Sequence, residues 1–436
     1  MTDNHQDINL AEFISVLVML TEQCGSIIRD VQKTGFTAKE KGDASPVTQA
    51  DIRVQKTLET VLKALYPSLE VRGEESKESM ADTVPKITAA DVTADHKKFI
   101  QTADLNACQE KRKDFIARML KVYKADEVSA TPFESFNTKD AIVWIDPLDG
   151  TSDFVKNNLP ACTVLVGLAV KGYSRLGVVH QPFSDADQSK GKTYYATVEH
   201  GVWELDSDEK QSVQDALNRS PKLLQPYEND EVTAETDIKI AVSLQHFSET
   251  MKTVQEKIMP SSYAKIGGAG NKCNNVALGT VNSYVHPSPG LKHWDLCAPE
   301  SVIKAMGGWA TDLKNERLTY HADQDVNLKG LVLGKTPNMH AAVIERLGDL
   351  RDQLYDKVFN KPKEAPKPKE EPKAEAAKEE SKEPLLEKPL KEVADADPAE
   401  KQKEAESGGY GKYALGLIAL GAIAGAVFLV NKHKNQ

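Results

Sequence analysis

The segment "AIVWIDPLDGTSDF" (141–154) decides the fold, because an apolar run ends abruptly in two carboxylates, a proline and a glycine. Residues 141–145 predict a buried strand, and Asp146 and Asp149 follow it directly. Pro, Asp and Gly are common turn residues, so a strand followed by a polar turn is the simplest interpretation. Acids at the ends of other predicted elements favour a functional site instead.

Three further acidic residues occupy such positions. Asp51 begins a predicted helix, Glu74 follows a short predicted strand, and Asp295 begins a helix after "PGLKHW". Carboxylates gathered at one point raise each other's pKa by repulsion, and hard divalent cations relieve that repulsion. Ligation by oxygen alone selects Mg²⁺ over Zn²⁺. Together the acids predict a magnesium site, although each one alone could be a helix cap or a solvated turn.

Two other motifs that begin at Asp146 do not fit this sequence. A calcium-binding loop needs Glu at its twelfth position, where this chain has Asn157. In the haloacid-dehalogenase phosphatases the nucleophile and the acid are two residues apart, whereas Asp146 and Asp149 are three apart. The spacing therefore favours metal-activated water over an aspartyl-phosphate intermediate.

Composition and charge limit the partners of the chain. It has 436 residues, 40% hydrophobic and 28% charged, with a formal net charge of -10. A net negative charge argues against binding a nucleic acid polymer, but bound cations can still admit a small phosphorylated substrate. The five scattered cysteines, without a CxxC pair, predict free thiols in a reducing compartment.

The sequence pattern of the globular part predicts a mixed α/β fold with two linked subdomains. Residues 9–185 form the predicted N-terminal metal-site subdomain, and residues 186–358, where strands and helices alternate, form the predicted C-terminal substrate-binding subdomain. Thr48, followed three residues later by Asp51, predicts a capping box at the start of a helix. Residues 80–138 are polar and irregular and predict an excursion with one or two helices.

Two segments after the globular part have a different composition. Residues 361–409 are rich in Pro, Lys, Glu and Ala, which predicts a disordered linker. Residues 413–430 carry no charge and predict a transmembrane tail anchor. Gly421 and Gly425 form a GxxxG, a spacing that is found where membrane helices pair weakly.

The position of the anchor predicts a membrane topology. The N-terminal "MTDNHQDINL" lacks the basic and apolar pattern of a signal peptide. An anchor near the C-terminus is expected to insert after translation, which leaves the globular part in the cytosol. The short span, rich in Ala and Gly and followed by lysines, predicts the mitochondrial outer membrane or, alternatively, the endoplasmic reticulum.

Several segments carry a resemblance to a known family. "GEES" (73–76), "WIDPLDGTSDF" (144–154) and "HWDLCAPESVIKAMGGWATD" (293–312) resemble the three signatures of the inositol monophosphatase superfamily of Mg²⁺-dependent, lithium-sensitive phosphatases. With "SPVTQAD" (45–51), the resemblance extends over residues 10–355. It implies an α/β fold, the layered αβαβα sandwich of the inositol monophosphatase and fructose-1,6-bisphosphatase type.

Within the superfamily, "TVLVGLAVKG", "KIGGAGNK" and "SPGLKHWDLCAPE" most resemble the 3'(2'),5'-bisphosphate nucleotidases. The resemblance implies hydrolysis of adenosine 3',5'-bisphosphate to AMP, with inositol 1,4-bisphosphate as a further candidate substrate. An inositol polyphosphate 1-phosphatase or an inositol monophosphatase is the alternative enzyme, and a membrane-tethered nucleotide-binding scaffold is the alternative without catalysis. Substrate preference stays open, because Ser152 replaces a frequent Lys and "SLQH" (243–246) lacks the usual arginine.

The resemblance also implies a metal site and a catalytic pair. The implied ligands of two or three Mg²⁺ ions are four carboxylates and one backbone carbonyl, those of Glu74, Asp146, Asp149, Asp295 and Leu148 respectively. Asp51 and Thr151 match the pair that orients the attacking water. Two metal ions about 3.5–4 Å apart can hold the attacking and leaving oxygens of an in-line displacement and lower the pKa of the water.

The resemblance also implies contacts to the phosphate that is hydrolysed and to the rest of the substrate. Gly150 allows close approach of the backbone, and the amides of Gly150 and Thr151 could donate to phosphate oxygens. His246, Gly268 and Lys272 match nucleotidase positions that contact the nucleoside and the second phosphate. Alternatively, His246 caps the following helix and Lys272 is a solvated lysine.

Overall fold

The computed structural model describes residues 5–42, 45–124, 126–185, 188–208, 213–233, 236–244 and 248–359. The predicted linker, the predicted membrane anchor and His246 lie outside the described residues. The helices are α1 Leu10–Thr34, α2 Gln49–Leu65, α3 Thr102–Lys111, α4 Lys113–Val122, α5 Thr151–Val155, α6 Val213–Leu217, α7 Glu249–Ile258, α8 Ala269–Ala277, α9 His293–Ala305, α10 Pro337–Leu347 and α11 Asp349–Phe359.

The strands are β1 Asp7–Asn9, β2 Lys39–Glu40, β3 Pro46–Val47, β4 Glu70–Gly73, β5 Ser135–Asn137, β6 Ala141–Asp149, β7 Thr163–Val170, β8 Tyr173–Gln181, β9 Lys190–Thr197, β10 Gly201–Asp208, β11 Lys222–Leu223, β12 Lys239–Ser243, β13 Ser262–Ile266, β14 Ser283–His286, β15 Trp309–Thr311 and β16 Leu331–Gly334. Two sheets form the framework. The larger has the order β11-β10-β9-β8-β7-β6-β4, and the smaller has the order β13-β12-β14-β16-β15.

The helices and the two sheets stack in five layers, which are held together by three apolar cores. Helices α1 and α2 pack on one face of the large sheet, where Leu17, Leu58 and Val143 belong to one apolar core. The opposite face of that sheet shares a core with α8, α9 and the small sheet. Helices α7, α10 and α11 cover the outer face of the small sheet. This order of layers confirms the predicted αβαβα sandwich.

Helix α1 has the length and composition of a membrane-spanning helix, but most of it is buried in the protein. Of its 18 most apolar consecutive residues, 78% are buried. Its N-cap Asn9 accepts a hydrogen bond from the amide of Glu12, and its apolar side packs in the core beneath the large sheet. These contacts identify α1 as a core helix.

The large sheet extends farther along the chain than the sequence pattern indicated. Strands β9 and β10 continue the antiparallel meander that β7 and β8 begin, and β11 adds its edge. The predicted boundary between residues 185 and 186 therefore falls within one sheet. The chain passes to the small sheet between Leu223 and Lys239 instead. The sequence pattern of a hairpin does not show whether its strands join the preceding sheet or form a separate one.

The excursion before β6 contains α3 and α4, which agrees with the predicted one or two helices. Phe115, Ile116 and Met119 of α4 pack with Tyr123 and Val128 in a small core of their own. All five cysteines are free thiols, as predicted, and four of them are buried.

Candidate active site

The end of β6 forms a tight turn that holds two carboxylates. The pairing of β6 with β7 is irregular between Asp146 and Asp149, and the amide of Leu148 donates to Asp146 Oδ1 at 3.1 Å. Gly150 follows with φ +86°, and a Cβ there would lie 3.3 Å from the carbonyl oxygen of Ala161. Only glycine adopts this backbone conformation readily, so the turn needs Gly150.

Three carboxylates from two distant parts of the chain meet at this turn. One oxygen from each of Asp146, Asp149 and Asp295 lies within 4.8 Å of the others. Asp295 belongs to the first turn of α9, where its Oδ2 accepts the amide of Lys292 at 2.6 Å. Helix α9 packs against β7 and β8, which carries Asp295 to the end of β6. All three donor groups are oxygens, which fits a hard cation such as Mg²⁺.

Burial makes this cluster electrostatically unfavourable without a cation. Burial raises the pKa of Asp146 and Asp149, and the charge of Glu74 raises the pKa of Asp146 further. For Asp295, burial followed by the charges of Asp149 and Glu74 raises the pKa to about 8. These neighbouring carboxyl groups resist ionisation, and a divalent cation bound between them would stabilise their ionised form.

Glu74 lies beside the cluster but has a partner of its own. Its amide donates to the carbonyl of Ile145 at 3.1 Å, because β4 and β6 are parallel neighbours. Lys41, next to the β2–β3 hairpin, reaches Glu74 Oε1 at 2.7 Å and Glu75 Oε1 at 2.5 Å. Sequence analysis missed Lys41 and Glu75, because a lysine in a polar turn has the appearance of a solvated residue. The second acidic residue of "GEES", Glu75, was the one feature of the sequence that indicated a basic partner near Glu74.

Asp51 and Thr151 form a hydrogen-bonded pair beside the three aspartates. Thr151 Oγ1 lies 2.8 Å from Asp51 Oδ1 and 2.9 Å from the carbonyl oxygen of Leu148, and its single proton can go to either. The amide and hydroxyl of Thr48 donate to Asp51 Oδ2 at 2.7 and 2.6 Å, within the predicted capping box. Burial raises the pKa of Asp51 to about 6.

A cavity of about 220 Å³ adjoins these groups. Six of the residues that sequence analysis singled out line it, namely Glu74, Asp149, Gly150, Thr151, Gly268 and Lys272. Ser243, Leu244 and Ile266 contribute a rim from the small sheet. The cavity therefore lies between the metal-site turn and the start of α8.

Lys272 is a buried residue of α8 and not a solvated one. It is 5% exposed, and its Nζ donates to the carbonyl of Gly268 at 2.7 Å. Its ammonium also lies 5.4 Å from the centre of the Tyr284 ring. Burial lowers the pKa of Lys272, while the charge of Asp149 acts in the opposite direction. Gly268 has φ +70° and begins the turn into α8.

The raised pKa of Asp295 predicts a pH-dependent effect of Mg²⁺ on stability. The pKa rises from 3.8 to about 8 in the metal-free fold, so between these values the folded chain binds more protons than the unfolded chain. The free energy of unfolding of the metal-free protein therefore falls as pH rises through this window. A cation that binds the ionised carboxylates offsets this loss. We expect Mg²⁺ to raise Tm more at pH 8 than at pH 6.

Calorimetry of Mg²⁺ binding at pH 7 in buffers of different ionisation enthalpy should also show proton release, because a bound cation displaces carboxyl protons. Ca²⁺-free and chelator-treated samples give the baseline. An equal gain in Tm at pH 6 and pH 8 would contradict this account of the cluster.

The chain is similar to known proteins over the region that contains the candidate site. The model of the inositol monophosphatase family matches residues 9–351. The 3'(2'),5'-bisphosphate nucleotidase 1 of Dictyostelium discoideum is 26% identical over 356 residues, which cover 79% of this chain and 99% of the relative. The Homo sapiens protein of that name is 25% identical over 320 residues, covering 72% and 87%.

A third similar protein is also named as a phosphatase of an adenosine bisphosphate. The Golgi-resident adenosine 3',5'-bisphosphate 3'-phosphatase of Rattus norvegicus is 24% identical over 357 residues, which cover 79% of this chain and 82% of the relative. The family match spans most of the chain and includes every element that forms the candidate site. The chain therefore belongs to the inositol monophosphatase family.

Proposed function

We propose that the protein is a Mg²⁺-dependent phosphomonoesterase that hydrolyses the 3'-phosphate of adenosine 3',5'-bisphosphate to give AMP and phosphate. The observation that carries this proposal is the convergence of Asp146, Asp149 and Asp295 beside the Asp51–Thr151 pair, at a cavity that Asp149 and Thr151 line. The names of the relatives support the choice of substrate, at modest sequence identity.

The proposed metal ligands are the carboxylates of Glu74, Asp146, Asp149 and Asp295 and the carbonyl of Leu148. Bound Mg²⁺ would supply a water of lowered pKa and would neutralise charge on the phosphate. Lys41 contacts Oε1 of Glu74 in this structure, and the second carboxylate oxygen of Glu74 is the proposed metal-binding atom.

Asp51 and Thr151 are the proposed proton-accepting pair. The oxygen of Thr151 can accept a hydrogen bond from water while its own proton goes to Asp51 Oδ1, 2.8 Å away. A pKa of about 6 suits Asp51 as a base near neutral pH. Thr48 fixes the orientation of the carboxylate from its other side.

The proposed phosphate contacts are the backbone amides of Gly150 and Thr151, two residues that line the cavity beside Asp149. Gly268 and Lys272 line the same cavity from the other side and are proposed to face the nucleoside and the second phosphate. His246 remains part of the proposal from sequence resemblance alone. An inositol phosphate is the competing substrate, because its phosphate would need the same metal-site residues.

Phosphate release by the full-length chain, measured on a matched substrate panel, tests the function. The panel contains adenosine 3',5'-bisphosphate, 3'-AMP, inositol 1-phosphate and inositol 1,4-bisphosphate, each with Mg²⁺ and with chelator. We expect the highest kcat/KM for the adenosine bisphosphate, dependence on Mg²⁺ and inhibition by Li⁺. A preference for an inositol phosphate would select the alternative enzyme. Tight nucleotide binding without phosphate release would select the scaffold.

Lys272 provides a test of substrate specificity. Replacing it with Met keeps most of the buried stem and removes the charge, so we expect KM for the bisphosphate to rise about tenfold or more, since hydrogen bonds to charged groups contribute about 1.5–3 kcal/mol. KM for 3'-AMP, which lacks the second phosphate, should change much less. Lys265→Met, on the exposed edge strand β13, is the matched control. Equal losses on both substrates would assign Lys272 a structural role.

We further propose that residues 413–430 anchor the enzyme in a membrane with the catalytic domain facing the cytosol. The uncharged stretch and the preceding Pro/Lys/Glu-rich linker support this proposal. Protease added to intact organelles should then remove the catalytic domain, and deletion of residues 410–436 should release an enzyme of unchanged kcat. Protection of the domain inside an organelle would overturn the proposed topology.

A further inference from the structure

Asp149 connects the metal-site turn to the wall of the cavity. Its Oδ1 accepts the amide of Ala269 at 2.8 Å, and its Oδ2 accepts the amide of Gly270 at 2.8 Å. Thr163 on β7 donates its hydroxyl to the same Oδ2 at 3.0 Å. One carboxylate therefore receives three hydrogen bonds, two of them from a segment more than a hundred residues away in the chain.

The wall that Asp149 contacts, residues 267–272, is built for this close approach. A Cβ on Gly268 would lie 2.7 Å from Asp149 Oδ2 and 2.5 Å from the carbonyl oxygen of Ala161. A Cβ on Gly270 would lie 3.0 Å from Thr163 Oγ1 and 2.7 Å from Leu165. Side chains at these two positions would hold the wall away from the turn.

The two oxygens of Asp149 are not equivalent. A carboxylate oxygen offers about two acceptor positions. Oδ2 uses both, for Thr163 and Gly270, whereas Oδ1 uses one, for Ala269. Oδ1 therefore keeps an acceptor position for a cation while Oδ2 stays on the wall. A cation at Asp149 and the ordered wall can be held at the same time.

We propose that Thr163 is a positioning residue that holds Asp149 in the orientation in which it accepts the amides of the wall, so that cation binding and ordering of the wall are coupled. This inference rests on the proposed function only in naming Asp149 as a metal ligand and the wall as a substrate contact. The coupling is reciprocal. If a bound cation stabilises the orientation of Asp149 that bonds to the wall, that orientation must increase the affinity for the cation by the same factor. Lys272, which bonds to the carbonyl of Gly268, is ordered together with the wall.

Hydrogen exchange of the full-length chain, followed by mass spectrometry, tests this coupling without any substrate. In the wild type we expect peptides that cover residues 267–277 to exchange more slowly when Mg²⁺ is added. Thr163→Val keeps the shape of the side chain and removes the donor, and should speed exchange of these peptides about tenfold in the metal-free protein. Thr163→Ser restores a hydroxyl and should restore slow exchange.

Thr193→Val is the matched control, because Thr193 is equally buried on a strand of the same sheet but donates to Glu22. It should leave exchange at 267–277 unchanged. A second variant, Gly268→Ala, provides a test if Thr163→Val folds poorly. Its added methyl group should push the wall away from Asp149 and so speed hydrogen exchange of the wall. In activity assays Thr163→Val should raise KM about tenfold with a smaller change in kcat.

Unchanged exchange at 267–277 in a folded Thr163→Val variant, or a wild-type wall insensitive to Mg²⁺, would overturn the coupling. If Thr163→Val does not fold, unchanged exchange in Gly268→Ala would overturn it. An equal effect of Thr193→Val would overturn it as well, since the change would then be global. The exchange result does not depend on which phosphate ester is hydrolysed. Failure of the substrate panel and failure of the coupling are therefore distinguishable.

Discussion

Replacing Asp295 by Asn is expected to lower kcat by about a thousandfold or more while the fold is retained. A neutral amide is a poor ligand for Mg²⁺, and loss of a metal contact in the transition state costs several kcal/mol, about 1.4 kcal/mol for each power of ten. Asp295 shares its cluster with Asp146 and Asp149, so the variant should also weaken Mg²⁺ binding. Steady-state kinetics and calorimetry with Mg²⁺ measure both effects.

Asp295 is a better position for this test than Asp149. The carbonyl oxygen of an asparagine at 295 can still accept the amide of Lys292 and cap α9. At 149 both oxygens accept backbone amides, so an asparagine would direct its NH₂ group against one of these donors. An Asp149→Asn variant would therefore disturb the wall as well as the metal site.

Asp91→Asn provides the matched control for Asp295→Asn. Asp91 also closes a capping box, with Thr88, but it is solvent-exposed and lies outside the candidate site. It should change neither kcat nor Mg²⁺ binding. Near-normal turnover of Asp295→Asn, with Tm unchanged, would remove Asp295 from the proposed metal site.

Local signals in the sequence predicted a mixed α/β fold and several residues of the candidate site. The apolar run before Asp146, the capping box of Thr48 and Asp51 and the helix that begins near Asp295 each depend on neighbouring residues only. Patterns of this kind can be read without knowledge of the tertiary structure. Family resemblance then supplied the order in which the layers stack.

Contacts between distant segments could not be predicted in the same way. The bond between Ala269 and Asp149 joins residues 120 positions apart, and a small apolar residue after two glycines carries no sign of such a partner. Thr163 is only 14 positions from Asp149, but it lies in a run typical of a buried strand, and such a run gives no sign of this bond. Only the tertiary structure brings these partners together, so a pattern of neighbouring residues does not reveal the bonds.

Lys41 and the division between the sheets were missed for a related reason. The ion pairs of Lys41 with Glu74 and Glu75 span more than thirty residues, from a polar turn to the end of β4. The continuation of the large sheet through β9 to β11 depends on which neighbour each strand pairs with. Alternation of apolar and polar residues predicts a strand but not its partner.

The second large effect is expected at the Asp51–Thr151 pair. Asp51→Asn and Thr151→Val should each lower kcat by about a hundredfold to ten-thousandfold, the range in which a positioned base contributes to catalysis. Because the Thr151 hydroxyl lies 2.8 Å from Asp51 Oδ1, the two groups are proposed to act as one unit. The double variant should then lose little more than the worse single variant, since effects within a unit are not additive.

The pH profile gives an independent readout for this pair. The base must be ionised to accept a proton, and the pKa of Asp51 is about 6 in the metal-free fold. A nearby cation favours the ionised form, so kcat/KM of the Mg²⁺-loaded enzyme should fall as pH drops through about 6 or below. Gln49→Ala, an exposed change in the same first turn of α2, should leave the profile and kcat intact. Additive losses in the double variant, or an unchanged acidic limb in Asp51→Asn, would show that the two residues do not share the proton of the attacking water.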